Sequence, residues 1–109
     1  MAEWIEVAKV DEIGSGGLIV KAAGEEALLI KDGEVVHAIA SLCSHQEMEL
    51  EGGRCEGGAW LCPHHGAKFS LSTGEALSMP AVESIEVYQS KVEGGRVFLS
   101  TDNGELARK

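Results

Sequence analysis

Positive charge is scarce in this sequence: nine Lys and Arg stand against 18 Asp and Glu, a formal charge of −9 at pH 7 with a pI near 4.8. That balance argues against a nucleic-acid backbone or an anionic membrane surface as the partner and favours a basic one. Long apolar runs are also missing. None reaches the ~20 residues that span a bilayer, and Met1 to Val10 has no basic leader ahead of an apolar core, so neither membrane insertion nor a signal peptide is expected. Cysteines number three, an odd and sparse count that fits a reducing cytoplasm better than a disulfide-stapled secreted module. Gly14-Ser15-Gly16-Gly17 does not meet the glycine pattern of a dinucleotide-binding turn, and the 2-His-1-carboxylate set of a mononuclear iron oxygenase is lacking.

Sustained helical periodicity is absent as well, and short apolar runs punctuated by glycine read as strands. Trp4 to Val10 predicts an edge strand leading into an Asp11-Glu12 turn. Leu18 to Lys21 and Ala27 to Lys31 follow, and the Asp32-Gly33 pair supplies positive φ for a tight hairpin into Val35 to Ala40. Arg54 to Glu56 against Ala59 to Leu61 predicts a small hairpin. Ala67 to Leu71 predicts a strand reversed at Ser72-Thr73-Gly74-Glu75, and Ile85 to Val92 with Arg96 to Ser100 a last hairpin across Glu93-Gly94-Gly95. Asp102 to Lys109 reads as a solvated tail. At 109 residues, with no linker or repeat, the expectation is a single domain over 1–109, an all-β base with a ligand-bearing insertion from about 42 to 80.

The chemistry concentrates in two short segments, Cys43-Ser44-His45 and Cys62-Pro63-His64-His65. The 16 residues from 46 to 61 lie between them, too many for a turn and suited to two neighbouring loops closing on one site. Two Cys and two His serve zinc or a Rieske-type [2Fe-2S] centre, in which imidazoles replace two thiolates on one iron. Zinc fingers usually pair like with like in each half-site. Here each half is mixed, as a two-iron cluster needs if each loop is to reach both irons.

At these residues, CSH, then CPHHGAKF and STGEA with Pro80 beyond, the chain resembles the Rieske ferredoxins over most of its length. The resemblance implies a Rieske fold: an antiparallel β-sandwich or barrel-like base with a small cluster-binding subdomain. It also implies one [2Fe-2S] cluster, with Cys43 and Cys62 on the buried iron and His45 and His65 on the outer iron. His64 fills the variable position and is not carried over. Gly66 reads as a site of close backbone approach, Pro63 as a loop stiffener and Pro80 as the third loop beside the cluster. Cys55 reads as a small hydrophobe, His37 as a structural histidine, and Trp60 as core or cover for the cluster base.

Two neutral imidazoles bring the oxidised cluster to zero net charge, which raises its potential above the plant-type range, about −150 to +300 mV against about −400 mV. Three departures from the respiratory-chain Rieske pattern push it back down. Met48 and His64 stand where those proteins carry a loop-bracing disulfide. Ala67 and Phe69 lack the hydroxyls that donate to cluster sulfurs, and Glu47, Glu49 and Glu51 add negative charge near the first loop. The expected midpoint is about −150 mV. Similarity to the ferredoxin components of ring-hydroxylating dioxygenase systems implies a one-electron carrier from an NAD(P)H-dependent flavoprotein reductase to a terminal oxygenase, and not an enzyme in itself. The small Rieske-like subunit of a nitrite reductase and a zinc-binding structural module are the alternatives.

Overall fold

The computed structural model describes residues 3–33, 35–41, 50–63, 68–77, 84–102 and 104–108. Along them run β1 (Glu3–Lys9), a 3-10 turn (Val10–Glu12), β2 (Leu18–Ala22), β3 (Glu25–Asp32), β4 (Val35–Ala40), β5 (Arg54–Glu56), β6 (Ala59–Leu61) and β7 (Lys68–Ser70). β8 (Val87–Tyr88), β9 (Ser90–Glu93), β10 (Arg96–Asp102) and β11 (Glu105–Leu106) complete the order. All pairings are antiparallel and fall into three sheets: an outer one in which β1, β9 and β11 each pair with β10, a middle one ordered β2-β3-β4-β8, and a small one ordered β5-β6-β7. This is the all-β, antiparallel architecture expected from the sequence, and no α-helix occurs among the described residues.

The middle sheet organises the rest because it is buried on both faces. Along β3, Ala27 and Leu29 point into one core with Ala38, Tyr88, Val97 and Leu99, while Leu28 and Ile30 point into the other with Ile39, Trp60, Phe69 and Leu71. All four β3 residues are essentially without solvent exposure, which is why the run reads as continuous apolar sequence and not as alternation. The first core joins the middle sheet to the outer sheet, and the second joins it to the small sheet. Truncating any of these large side chains to Ala costs about 2–5 kcal/mol.

Two expectations fail here. Ile85 to Val92 is not one strand. It breaks at Gln89, so that β8 pairs with β4 in the middle sheet and β9 with β10 in the outer one. The adjacent Val87 and Tyr88 are both buried, one in each core, and the crossing backbone at Gln89 donates to Ala107 and accepts from Ser100. The solvated tail is also wrong. β11 folds back on β10, Leu106 is fully buried, and Arg108 reaches Glu25 (2.7 Å) and Glu86 (3.5 Å) while stacking on Tyr88. The charges of this segment hid its single buried apolar anchor. At the other turns the corrections are smaller: Asp11-Glu12 sits in the 3-10 turn, and Asp32 stays in its strand opposite Val35, leaving the positive φ to Gly33.

Candidate metal centre

Each predicted half-site belongs to a segment whose ends are fastened. The Leu50 amide donates to the Ser41 carbonyl (2.8 Å), pinching together the two ends of 42–49, the stretch that carries Cys43 and His45. Leu50 is fully buried, and its own carbonyl accepts from Trp60 Nε1 (2.8 Å) and from the Gly53 amide (3.3 Å). The second segment leaves β6 at Leu61 and returns to β7 at Lys68, which pair across the ladder, so Cys62 stands at the start of a hairpin loop. The Lys68 carbonyl accepts from Leu77 (2.8 Å) and the Gly74 carbonyl from Ile85 (2.8 Å), which fastens both ends of 78–83, where Pro80 lies. Trp60, in the small sheet, thus ties the stem of the first segment to the strand that leads into the second.

Cys62 is 3% exposed and joins the core of Trp60, Phe69 and Leu71. The other predicted ligands, Cys43, His45 and His65, lie outside the described residues, as do His64, Gly66, Ala67 and Pro80. Among the described residues no three His, Cys, Asp or Glu side chains come together as a metal site. Beside Cys62 runs an open groove of about 340 Å³ lined by Gly52, Gly53, Arg54, Leu61, Cys62 and Pro63. Cys55, the cysteine not assigned to metal, is half-buried under the same sheet. Burial, helped by the Asp32 charge, pushes its thiol pKa up, so it remains protonated as a small apolar filler. His37 is half-buried in β4 opposite Ile30, in the middle sheet.

Two glycines and one leucine matter more than the sequence analysis allowed. A Cβ on Gly53 would lie 2.0 Å from the Leu61 carbonyl oxygen and 2.9 Å from Trp60 Nε1. At Gly74 (φ +78) it would lie 2.0 Å from the Ile85 carbonyl oxygen. These positions are where backbone meets backbone beneath the loops, and only glycine fits. Gly74 stands inside the STGEA segment, which was legible as a turn but not as a close approach. Leu50 had a weaker signal, a lone apolar residue between acidic residues and a Gly-Gly pair.

Residues 3–89 match the Rieske [2Fe-2S] domain family. The ferredoxin component of the naphthalene 1,2-dioxygenase/salicylate 5-hydroxylase systems of Ralstonia sp is 34% identical over 100 residues, 91% of this chain and 96% of that one. The ferredoxin component of the alkene monooxygenase system of Xanthobacter autotrophicus is 36% identical, covering 92% of this chain and 83% of its own. Among solved structures, the ferredoxin of carbazole 1,9a-dioxygenase from Nocardioides aromaticivorans superposes with a TM-score of 0.81 at 28% identity, covering 97% of this chain and 98% of that one.

The chain belongs to the Rieske [2Fe-2S] domain family. Its relatives are electron-transfer ferredoxins of multicomponent oxygenase systems, and the family's cofactor is one Rieske-type [2Fe-2S] cluster. The surroundings of Cys62 fit that group: a soft thiolate donor, almost fully buried, set on an apolar floor at the mouth of a loop. Zinc as a structural metal gives way to this family match.

Proposed function

We propose that this protein is a cytoplasmic one-electron carrier, taking electrons from an NAD(P)H-dependent flavoprotein reductase and delivering them to a terminal oxygenase. The whole chain acts as one Rieske domain, with residues from about 42 to 80 as its cluster-bearing insertion. Cys43 and Cys62 hold the inner iron, His45 and His65 the outer one. The observation that carries this reading is the buried Cys62 at the head of a fastened hairpin loop, within a match to the family that spans both predicted half-sites. Support for the partners comes from the relatives, which are ferredoxin components of oxygenase systems.

The cluster, when bound, supplies a single reversible electron. What the chain supplies is position and environment. Trp60, Phe69 and Leu71 form a dry floor under Cys62, and Leu50 with Trp60 holds the two loop stems at a fixed separation. Phe69 is fully buried beside Cys62 and brings no hydroxyl, which leaves the reduced, more negative cluster less stabilised. Acidic surface charge steers the carrier toward a basic dock, so transfer slows as salt rises.

Redox titration of the iron-loaded protein tests the reading. A midpoint of about −150 mV is expected, and a value above zero contradicts the argument from missing hydrogen bonds. In the same preparation, Cys62→Ser abolishes the visible absorbance while Cys55→Ser keeps it. Retention of the native spectrum by Cys62→Ser would remove that residue from the ligand set.

A further inference from the structure

Gly14-Ser15-Gly16-Gly17, which lacks the pattern of a dinucleotide-binding turn, lies against the stem of 42–49, the segment that carries Cys43 and His45. The Gly17 amide donates to the Gly14 carbonyl (3.1 Å) and closes the loop. A Cβ on Gly17 would lie 3.1 Å from the Leu29 carbonyl oxygen, so the loop is seated on β3. From that seat the Gly16 carbonyl accepts from the Gly52 amide at 2.8 Å. A Cβ on Gly16 would lie 3.1 Å from Gly52 Cα and 3.4 Å from its nitrogen, and Gly52 would have to give way by a few tenths of an ångström. One on Gly14 meets nothing within 4 Å.

We infer that Gly16 is a positioning residue for the cluster, its carbonyl bracing the stem that holds 42–49 against the second loop. The inference rests on the ligand set proposed for the carrier and adds a residue remote from both halves of it. Among the described residues, the bonds at Leu50 lead to Ser41 and to Trp60 of the small sheet, and β5, just beyond Gly53, belongs to that sheet as well. The Gly16 bond ties the stem instead to a loop seated on the β2–β3 ladder of five cross-strand pairs. The separation of the two loops then does not depend on three-residue ladders alone. Glycine at 16 is what lets the two backbones come this close. A displaced Gly52 should loosen and reorient the stem locally, with the sandwich intact.

Gly16→Ala and Gly14→Ala, the same change two positions apart in one loop, test this in the iron-loaded protein. With excess EDTA, Gly16→Ala should release iron about fivefold faster than wild type, and Gly14→Ala within about twofold of it. The electron paramagnetic resonance g-values of the reduced cluster should move in Gly16→Ala alone. Hydrogen exchange should quicken in that variant over residues 50–56 and stay unchanged over β3 and β4. Equal iron release from the two variants would overturn the positioning role. So would faster release from Gly16→Ala with native g-values and a loss of protection spread over β3 and β4, which would make the residue a support of the fold only. A measurement on oxidised, iron-loaded wild type needs no variant: the Gly52 amide should exchange about a hundredfold slower than an unstructured one, and an unprotected amide there would overturn the brace. Wild-type protein that shows these differences in iron release yet takes up no electron reversibly would defeat the carrier reading and leave the positioning role standing.

Discussion

The two faces of the middle sheet bury side chains of different character. Toward the outer sheet the core includes four alanines, Ala8, Ala22, Ala27 and Ala38, and the sheets joined there run in long ladders such as β1 with β10 and β3 with β4. Toward the small sheet the core is built from Trp60, Phe69, Leu28, Leu50, Leu71 and Ile39, and the strands there are three residues long. Short ladders hold little by themselves. Large side chains, an indole-to-carbonyl bond and backbone contacts at glycine take their place. The scaffold side is therefore secured by repetition and tolerates local change, whereas the small-sheet side depends on a few singular contacts.

The largest expected contrast uses one substitution on each side. Gly74→Ala would set a Cβ against the Ile85 carbonyl oxygen and beside Val87 Cγ2 at a φ of +78. Gly24→Ala, at a similar φ of +75 in the β2–β3 turn, meets nothing within 4 Å. Positive φ alone costs about 1 kcal/mol, and the added overlap should bring Gly74→Ala to about 4 kcal/mol. Chemical denaturation measures both. Comparable losses at the two sites would mean that the small-sheet side accommodates a shift as easily as the scaffold.

Trp60→Phe should come next. It keeps most of the apolar volume and removes the Nε1–H that holds the buried Leu50 carbonyl, in the residue whose amide fixes the first loop stem by donating to Ser41. A cost of about 2 kcal/mol is expected. Iron should be lost to chelators several-fold faster, because the stem loosens before the sandwich does. Unchanged chelation kinetics would show that the indole only fills space.

Much of this division was legible in the sequence, and unevenly so. Strand positions on the scaffold follow from β-branched runs and glycine turns, and β4, β5 and β6 fall on the residues expected for them. The Cys and His spacing pointed to two loops and a shared metal, of which the described residues include Cys62 and the loop stems but not Cys43, His45 or His65. What stayed hidden depends on partners distant in the chain. Gly53 needs the Leu61 carbonyl, Gly74 needs Ile85, and Leu106 is buried because Glu25 accepts its amide (2.9 Å) from 81 residues away. A local pattern of charge over 102–109 could not disclose an ion pair with β3.

That ion pair gives a smaller effect with a definite pH dependence. Bonds from Arg108, and then from the Leu106 amide, hold the Glu25 carboxyl below its usual range. A depressed folded-state pKa stabilises the native state fully above the unfolded value of about 4.3 and loses that contribution as pH falls through the folded value. Arg108→Gln should therefore cost about 1 kcal/mol near neutrality, given a side chain 37% exposed. The gap to wild type should close below about pH 4. A gap that persists in acid would assign the role of Arg108 to its stacking on Tyr88 (4.9 Å) and not to Glu25.

The smallest effect lies in the turns and has the opposite sign. Ala23 and Gly24 close β2 onto β3 with φ values of +52 and +75, while Gly57 and Gly58 close β5 onto β6 with +56 and +80. The geometry is that of a two-residue hairpin turn, for which a left-handed first residue disfavours a Cβ. The scaffold carries this strain at Ala23 because five cross-strand pairs follow it, from Ala22–Glu25 to Leu18–Leu29, whereas β5–β6 has three. Ala23→Gly should stabilise the protein by about 0.5 kcal/mol, the relief at φ exceeding the added freedom of the unfolded chain. Ala23→Asn should gain slightly more, since asparagine tolerates the left-handed region without glycine's entropy. An increase in Tm of about 3 °C is the expected reading for Ala23→Gly, and Gly57→Ala should move it down by more than that. If Ala23→Gly instead lowers Tm, the turn strain on the scaffold side is negligible, and the tolerance ascribed to its long ladders has no strain to act on.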